Sequence, residues 1–322
     1  MKGGTFVISL DFELMWGVRD KRTIADYGAN ILGVRQAIPA MLDLFAERAI
    51  ACTWATVGLL FYGTKREVLD SLPASLPAYY DPRLSPYPDI SATGGDEKSD
   101  PYHYGLSLLR QIAASPRQEI ATHTFSHFYC LEDGGTVDAF RADLLAAKTA
   151  AERLDISLRS IAFPRNQISL SHLAVCKEIG IRAFRGNEDV WFHRAGPDAR
   201  QTLFMRGARL ADAHLPIGGQ HVHEAKVVVG LVDIPASRFL RPTFTVDPLK
   251  SLRLHRITSA MTNAARDGKI FHLWWHPHNF GVDLKSNLAF LRVVLDCYRK
   301  LQKRHGMRSL TMAAVADEIL DA

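Results

Sequence analysis

The chain has 322 residues, 47% of them hydrophobic and 23% charged, and carries a formal net charge of +5. This is the composition of an ordinary globular protein, and the length suits one α/β domain with a buried core. No basic tract with interleaved aromatics is present, so nucleic acid is not an expected partner, while a mildly positive surface suits a phosphate-bearing substrate or an anionic membrane face.

In chain order, Thr5 to Leu10 is a β-branched and aromatic run bounded by Gly3-Gly4 and reads as a buried strand. It ends in Asp11-Phe12-Glu13. Strand side chains alternate, so the two acids share a face just where a buried strand should be apolar. A pair of carboxylates there is expected to be a metal or acid/base site, with a cap or an arginine partner as the plainer alternative. Apolar residues at helical spacing from Ile31 to Phe45 predict a helix over 31–49, and Ile50 to Val57 predicts a second strand. Residues 69–104 carry six prolines and several tyrosines. So long a connection is expected to be functional, and the reading is an ordered lid over a substrate.

Gln118 to Thr122 predicts a third strand running into His123-Thr124-Phe125-Ser126-His127, and Val137 to Leu154 an amphipathic helix. Arg159 to Phe163 predicts a fourth strand, ending at Pro164-Arg165-Asn166-Gln167. A helix follows over 170–179, stopped by Gly180, and then a fifth strand over 181–184. Within 192–245 the one clear strand is Val227 to Ile234. A helix from Pro248 to Asp267, a strand from Lys269 to Trp275 ending at His276-Pro277-His278-Asn279, a long helix from Leu284 to His305 and a short strand at Ser309 to Thr311 complete the chain. Repeated strand–helix units with polar clusters at strand C-terminal ends predict a distorted (β/α) barrel in a single domain. Cys52, Cys130, Cys176 and Cys297 form no paired spacing and read as reduced thiols. The chain enters a strand at once, and Ile50 to Tyr62, its longest apolar stretch, is too short for a bilayer; a cytoplasmic location is expected.

His123 and His127 are four residues apart, which on one helical turn would face both imidazoles toward one metal. Alone, such a pair is weak among 13 histidines. With Asp11 and Glu13 it makes a His, His, carboxylate set that leaves zinc an open position. Ser-Leu-Asp11-Phe-Glu13, His123-Thr-Phe-Ser-His127, Phe-Pro164-Arg165-Asn-Gln, Asp189-Val-Trp191 and Trp-Trp-His276-Pro together resemble the ordered motifs of the polysaccharide deacetylases, the NodB-homology carbohydrate esterases.

That resemblance implies a distorted (β/α)7 barrel and a divalent-metal hydrolase, most often with zinc, that removes acyl groups from sugars. It implies Asp11 as the base, with Glu13, His123 and His127 as metal ligands. The family's first motif has two adjacent aspartates, whereas Phe12 stands between the acids here, so the two roles could exchange. His276 takes the place of the acid that protonates the leaving group. Arg165, which follows Pro164 where the family has an arginine before its proline, would orient the base. Trp191 would wall the acyl pocket. In this scheme the metal polarises the acyl carbonyl and activates water, Asp11 takes a proton and His276 gives one.

Other residues were open to a role. His278 is a candidate substrate contact beside His276, and Arg238 and Arg241, with Lys250, Arg253 and Arg256, are candidates to hold phosphate. His221 and His223 are a second possible ligand pair near Glu224, or surface loop. Cys130 reads as a buried thiol, and Thr124 and Ser126 as turn groups, not nucleophiles. The expected function is metal-dependent removal of an N-acetyl or N-formyl group from an acylated amino sugar. The expected substrate is a cell-surface polysaccharide precursor of the O-antigen kind, nucleotide- or lipid-linked, with peripheral contact to the inner membrane face. The alternatives are a catalytically silent carbohydrate- or partner-binding protein on the same fold, and a hydrolase of a small non-sugar amide.

Overall fold

The structure, a computed structural model, describes residues 3–188, 196, 202–212, 219, 221–244 and 246–321. Its strands are β1 (Thr5–Phe12), β2 (Cys52–Thr56), β3 (Gln118–Thr122), β4 (Ser160–Ile161), β5 (Ala183–Phe184), β6 (Lys226–Val228), β7 (Leu231–Asp233), β8 (Arg238–Phe239), β9 (Ile270–Trp275) and β10 (Arg308–Ser309). The helices are α1 (Ile24–Arg48), α2 (Lys65–Leu69), α3 (Tyr87–Ile90), α4 (Leu106–Ala114), α5 (Val137–Glu152), α6 (Leu170–Ile179), α7 (Leu203–Asp212), α8 (Lys250–Asp267), α9 (Leu284–His305) and α10 (Met312–Leu320).

β1 to β5 pair in parallel in sequence order, and β9 pairs with the other side of β1. The circuit closes through the segment joining β7 to β8. Ile234 and Ala236 donate their N–H groups to Phe184 O and Gly186 O at 3.0 and 2.9 Å, while Ser237 and Leu240 donate to His272 O and Trp274 O, both at 2.8 Å. The segment thus leaves β5 and joins β9 within a few residues. Counting it as one stave, the barrel has the seven parallel staves expected of a distorted (β/α)7 barrel.

Alternation along β1 sorts its side chains. Phe6, Ile8, Leu10 and Phe12 join the apolar layer under the surrounding helices. Val7 packs inside with Ala183, Val232, Ile234, Ile270 and the α10 residues Met312, Val315 and Ala316. Above that apolar floor the inward positions turn polar: Ser9, then Asp11 on β1, and His272 on β9. The site therefore sits at the C-terminal ends of the strands, where barrel loops converge.

Three expectations change. The first helix begins at Ile24, a full turn and more before Ile31, because Thr23 and Asp26 form a reciprocal capping box. The expected strand Val227 to Ile234 is instead an antiparallel hairpin of β6 and β7, turning at Val229 (φ 53°) and Gly230 (φ 83°). Two left-handed residues are what a tight hairpin turn needs, and valine is a costly choice for one of them. His123 to His127 is irregular backbone, not a helical turn, with Thr124 at φ 63° and His127 at φ 60°.

Residues 69–104 are ordered and contact the loops that follow β1 and β3. Tyr102 O accepts from Met15 N–H at 3.1 Å, His103 O from Trp16 Nε1 at 2.7 Å, and Arg83 O from Arg19 at 2.7 Å. The Tyr79 hydroxyl accepts from Tyr129 N–H at 2.8 Å. The stretch supports the two loops that carry Glu13 and His127. Among the described residues, no helix is long and apolar enough to cross a membrane.

Candidate metal and catalytic site

Three side chains from two loops meet at the barrel mouth. Glu13 Oε2 lies 3.4 Å from His123 Nε2 and 3.2 Å from His127 Nε2, with all three residues buried. The outer nitrogen of each ring is engaged: His123 Nδ1 donates to Ala162 O at 2.7 Å, and His127 Nδ1 lies 3.0 Å from the Tyr129 hydroxyl. The Ala162 carbonyl fixes the His123 proton on Nδ1 and so leaves its Nε2 lone pair facing Glu13, and His127 Nε2 faces the same carboxylate. Burial lowers the His127 imidazole to about 4 against the pull of Glu13, so it is neutral at pH 7, the form in which an imidazole can take a metal. Burial would raise the Glu13 carboxyl, but the charge of His276, 3.6 Å from Oε1, leads the effects that hold it well below the usual range.

A loop with left-handed residues needs outside support, and it comes from α5. The Asp143 carboxylate, wholly buried, accepts from Phe125 N–H at 2.6 Å, Ser126 N–H at 3.1 Å and the Ser126 hydroxyl. Its burial raises the carboxyl to about 6 despite these bonds. The Thr124 hydroxyl accepts from Phe128 N–H at 2.7 Å. Thr124 and Ser126 thus hold the turn, as expected of them. Asp143 reads in the sequence as a solvated helix residue and was missed.

Asp11 is held differently. Arg185 Nη1 and Nη2 donate to its two oxygens at 2.6 and 2.7 Å, a bidentate pair in the barrel interior. Burial would raise the Asp11 carboxyl, but Arg185, with His123 and His276, brings it below its ordinary value. The arginine expected in this place was Arg165. Instead, Arg165 pairs with Asp20 and lies 4.3 Å over the Tyr129 ring, so it braces the loop that carries His127. Arg185 was not singled out, since one more arginine after a two-residue strand carries no signal of its own.

His276 follows β9 and points its Nε2 inward, 3.7 Å from Asp11 Oδ2 and 3.6 Å from Glu13 Oε1. Its Nδ1 lies 3.3 Å from Asn279 Oδ1, and its ring stacks on His278 at 4.8 Å. His278 is buried and lowered to about 3 by burial and by His276, so it lines the site as a neutral ring. The turn carrying both histidines is seated on α1 by close backbone contact. A Cβ on Gly33 would lie 1.9 Å from Gly281 O, and one on Gly281 1.9 Å from Asn30 O.

A cavity of about 360 Å³ opens above these groups, a size that takes a small ligand. Asp11, Glu13, His123, His127, Arg185 and His276 form its base, Phe239 and Trp274 give it an aromatic side, and Lys21, Arg22 and Tyr27 also line it. None of the described lining residues comes from 69–104. Trp191, the expected aromatic wall, lies outside the described residues.

The expected phosphate ligands are placed elsewhere. Arg238 is buried and donates to Asp212 O at 3.1 Å and Asp212 Oδ2 at 3.2 Å. Arg241 is partly buried beside Arg253, Arg253 pairs with Asp247, and Arg256 reaches Asp212 Oδ1 at 3.4 Å. Neither Arg238 nor Arg241 is among the residues lining the cavity. His221 sits between Glu188, at Nδ1, and Asp212, 3.2 Å from Nε2. With the carboxylates on opposite ring nitrogens and two arginines on Asp212, this is an ion-pair network more than a metal site. His223 joins β9 through its backbone, pairing with Ile270.

No protein-family model matches the sequence, and no curated protein matches it. The fold does have solved counterparts. A polysaccharide deacetylase, so named, from Mycobacterium smegmatis superposes with a TM-score of 0.61 at 14% identity, over 98% of this chain and 91% of that one. A protein described as a probable polysaccharide deacetylase from Pseudomonas aeruginosa PAO1 gives 0.56 at 11% identity, over 99% and 92%. Puue allantoinase gives 0.55 at 12% identity, over 99% and 91%. The chain has the fold of the polysaccharide deacetylases.

Proposed function

We propose that the protein is a metal-dependent deacylase acting on an acylated amino sugar. The observation that carries this reading is the position of His276 Nε2, which is within 4 Å of both Asp11 and Glu13. One point at the cavity base is thereby flanked by a proton acceptor, a proton donor and a three-residue donor set. Glu13, His123 and His127 would hold the metal: each offers one ligand atom and these lie within 4.8 Å of one another. Two imidazoles and one carboxylate suit zinc with a position left open. A bound divalent cation supplies Lewis acidity toward the acyl carbonyl.

The chain's own residues do the proton work. Asp11, ionised and fixed by Arg185, accepts a proton from the attacking water. His276 delivers a proton from Nε2 to the departing amine, while Asn279 holds its Nδ1 side. Phe239 and Trp274 offer apolar surface to a sugar ring or acyl group. Lys21 and Arg22 line the same cavity and would meet an anionic group on the substrate, which suits a nucleotide- or lipid-linked precursor of a surface polysaccharide.

The first test is metal analysis of the purified protein, followed by acetate or formate release from acylated amino sugars offered free, nucleotide-linked and lipid-linked, with small non-sugar amides alongside. Turnover of the linked sugars above the free ones is expected. Equal or better turnover of the free sugar removes the linked-precursor reading, and preference for a small amide removes the sugar. A protein that binds one metal and turns over nothing is the silent carbohydrate-binding alternative.

His276→Ala tests the acid. kcat is expected to fall about a hundredfold or more on an amide, whose amine leaves poorly, and far less on an activated ester. Equal losses on both substrates would make His276 structural.

A further inference from the structure

Inside the barrel, one layer below Asp11, lie two polar side chains with no exposure, Ser9 and His272. The layer beneath them is apolar. Burying a hydroxyl and an imidazole costs free energy unless every polar atom is matched. Here they are matched in one direction. His272 Nδ1 lies 3.1 Å from Ile234 O, an acceptor only, so Nδ1 carries the proton. His272 Nε2 therefore accepts from the Ser9 hydroxyl at 2.8 Å, and Ser9 Oγ in turn accepts from Arg185 Nη1 at 3.2 Å. The guanidinium is further bounded by Asn166 Oδ1, 3.2 Å from Nη2, and by the Trp274 ring, 4.3 Å away. The chain ends on both oxygens of Asp11.

We propose that Ser9 and His272 are positioning residues: they set the plane of the Arg185 guanidinium, and through it that of the Asp11 carboxylate, without touching substrate. Burial, helped by Arg185, lowers His272 to about 3, in keeping with an imidazole that accepts at Nε2. A base carboxylate rotated out of line loses rate while leaving binding intact, and small misplacements are costly. This role rests on Asp11 as the base.

Ser9→Ala removes the middle of the chain, and two readouts separate the claims. In protein labelled with ¹⁵N-arginine, the Arg185 guanidinium signal is identified by its loss in Arg185→Lys. Ser9→Ala is expected to speed exchange of its Nη protons at least tenfold. kcat should fall roughly tenfold, with KM and metal content unchanged, and Ser9→Cys, which keeps the shape and a weak donor, should recover part of both losses. Unchanged Arg185 exchange overturns the chain whatever happens to turnover. Faster exchange with unchanged kcat overturns its catalytic role, as does a kcat loss that tracks metal loss. If the wild-type protein turns over no substrate, the deacylase reading fails, and the Arg185 signal still decides whether the chain holds the guanidinium. Should Ser9→Ala not fold, Ser9→Cys carries both measurements.

Discussion

His127→Ala protein is expected to purify without a stoichiometric metal and without activity, and His123→Ala and Glu13→Gln should behave alike. Each removes one of three ligand atoms that lie within 4.8 Å of one another. Asp11→Asn should part from this group, keeping its metal while losing turnover, because both Asp11 oxygens are bonded to Arg185 and Asp11 is not one of the three clustered ligand atoms. Metal analysis after dialysis against a weak chelator reads the difference directly. A His127→Ala protein that keeps a full equivalent of tightly bound metal would sink this site. If Asp11→Asn strips the metal and Glu13→Gln does not, the two acids have exchanged roles. The sequence left that exchange open, since Phe12 separates the acids, and the distances favour Glu13 as ligand.

What the sequence disclosed and what it withheld divide along physical lines. Two carboxylates at the end of a buried strand, two histidines after another and a histidine after a third announce themselves, because each is a polar group where burial should forbid one. The structure brings Asp11, Glu13, His123, His127 and His276 around one cavity. Arg185, Asp143 and Gly17 carry no such local contradiction. An arginine after a two-residue strand, an aspartate in an amphipathic helix and a glycine in a short turn acquire meaning only from residues far away in the chain. The same distance hides partners that the sequence cannot show. Arg238 and Arg256 look available in sequence, but Asp212 claims them both. The Pro- and Tyr-rich 69–104 stretch suggests a cover, and its main-chain carbonyls accept from Met15 and Trp16, partners that nothing in its own sequence announces. Proline and tyrosine content predicts an ordered excursion, not the surface it will rest on.

Gly17→Ala is expected to uncouple metal binding from folding. Gly17 ends the 3₁₀ turn Leu14–Gly17 that follows Glu13, and a Cβ there would lie 2.0 Å from Glu13 Cδ and 2.3 Å from each carboxylate oxygen. No backbone atom is among these nearest contacts, and the obstructed group is the end of a flexible side chain, so the chain can yield by swinging that carboxylate away. The fold should survive, since glycine to alanine at an ordinary φ costs little and trims unfolded-state entropy by about 0.4–1 kcal/mol. The ligand set should not survive, because the swing removes the one carboxylate between His123 and His127. The expected result is metal affinity lower by at least tenfold, activity lost in proportion, and an apo melting temperature within a few degrees of wild type. Gly63→Ala is the control: its added Cβ would meet only Leu106 and Glu67 side-chain atoms at 3.4 and 3.5 Å, ordinary contact far from the ligands. A Gly17→Ala protein with full metal and full activity would show that Glu13 does not need its present position, and the assignment of Glu13 as ligand would fall with it.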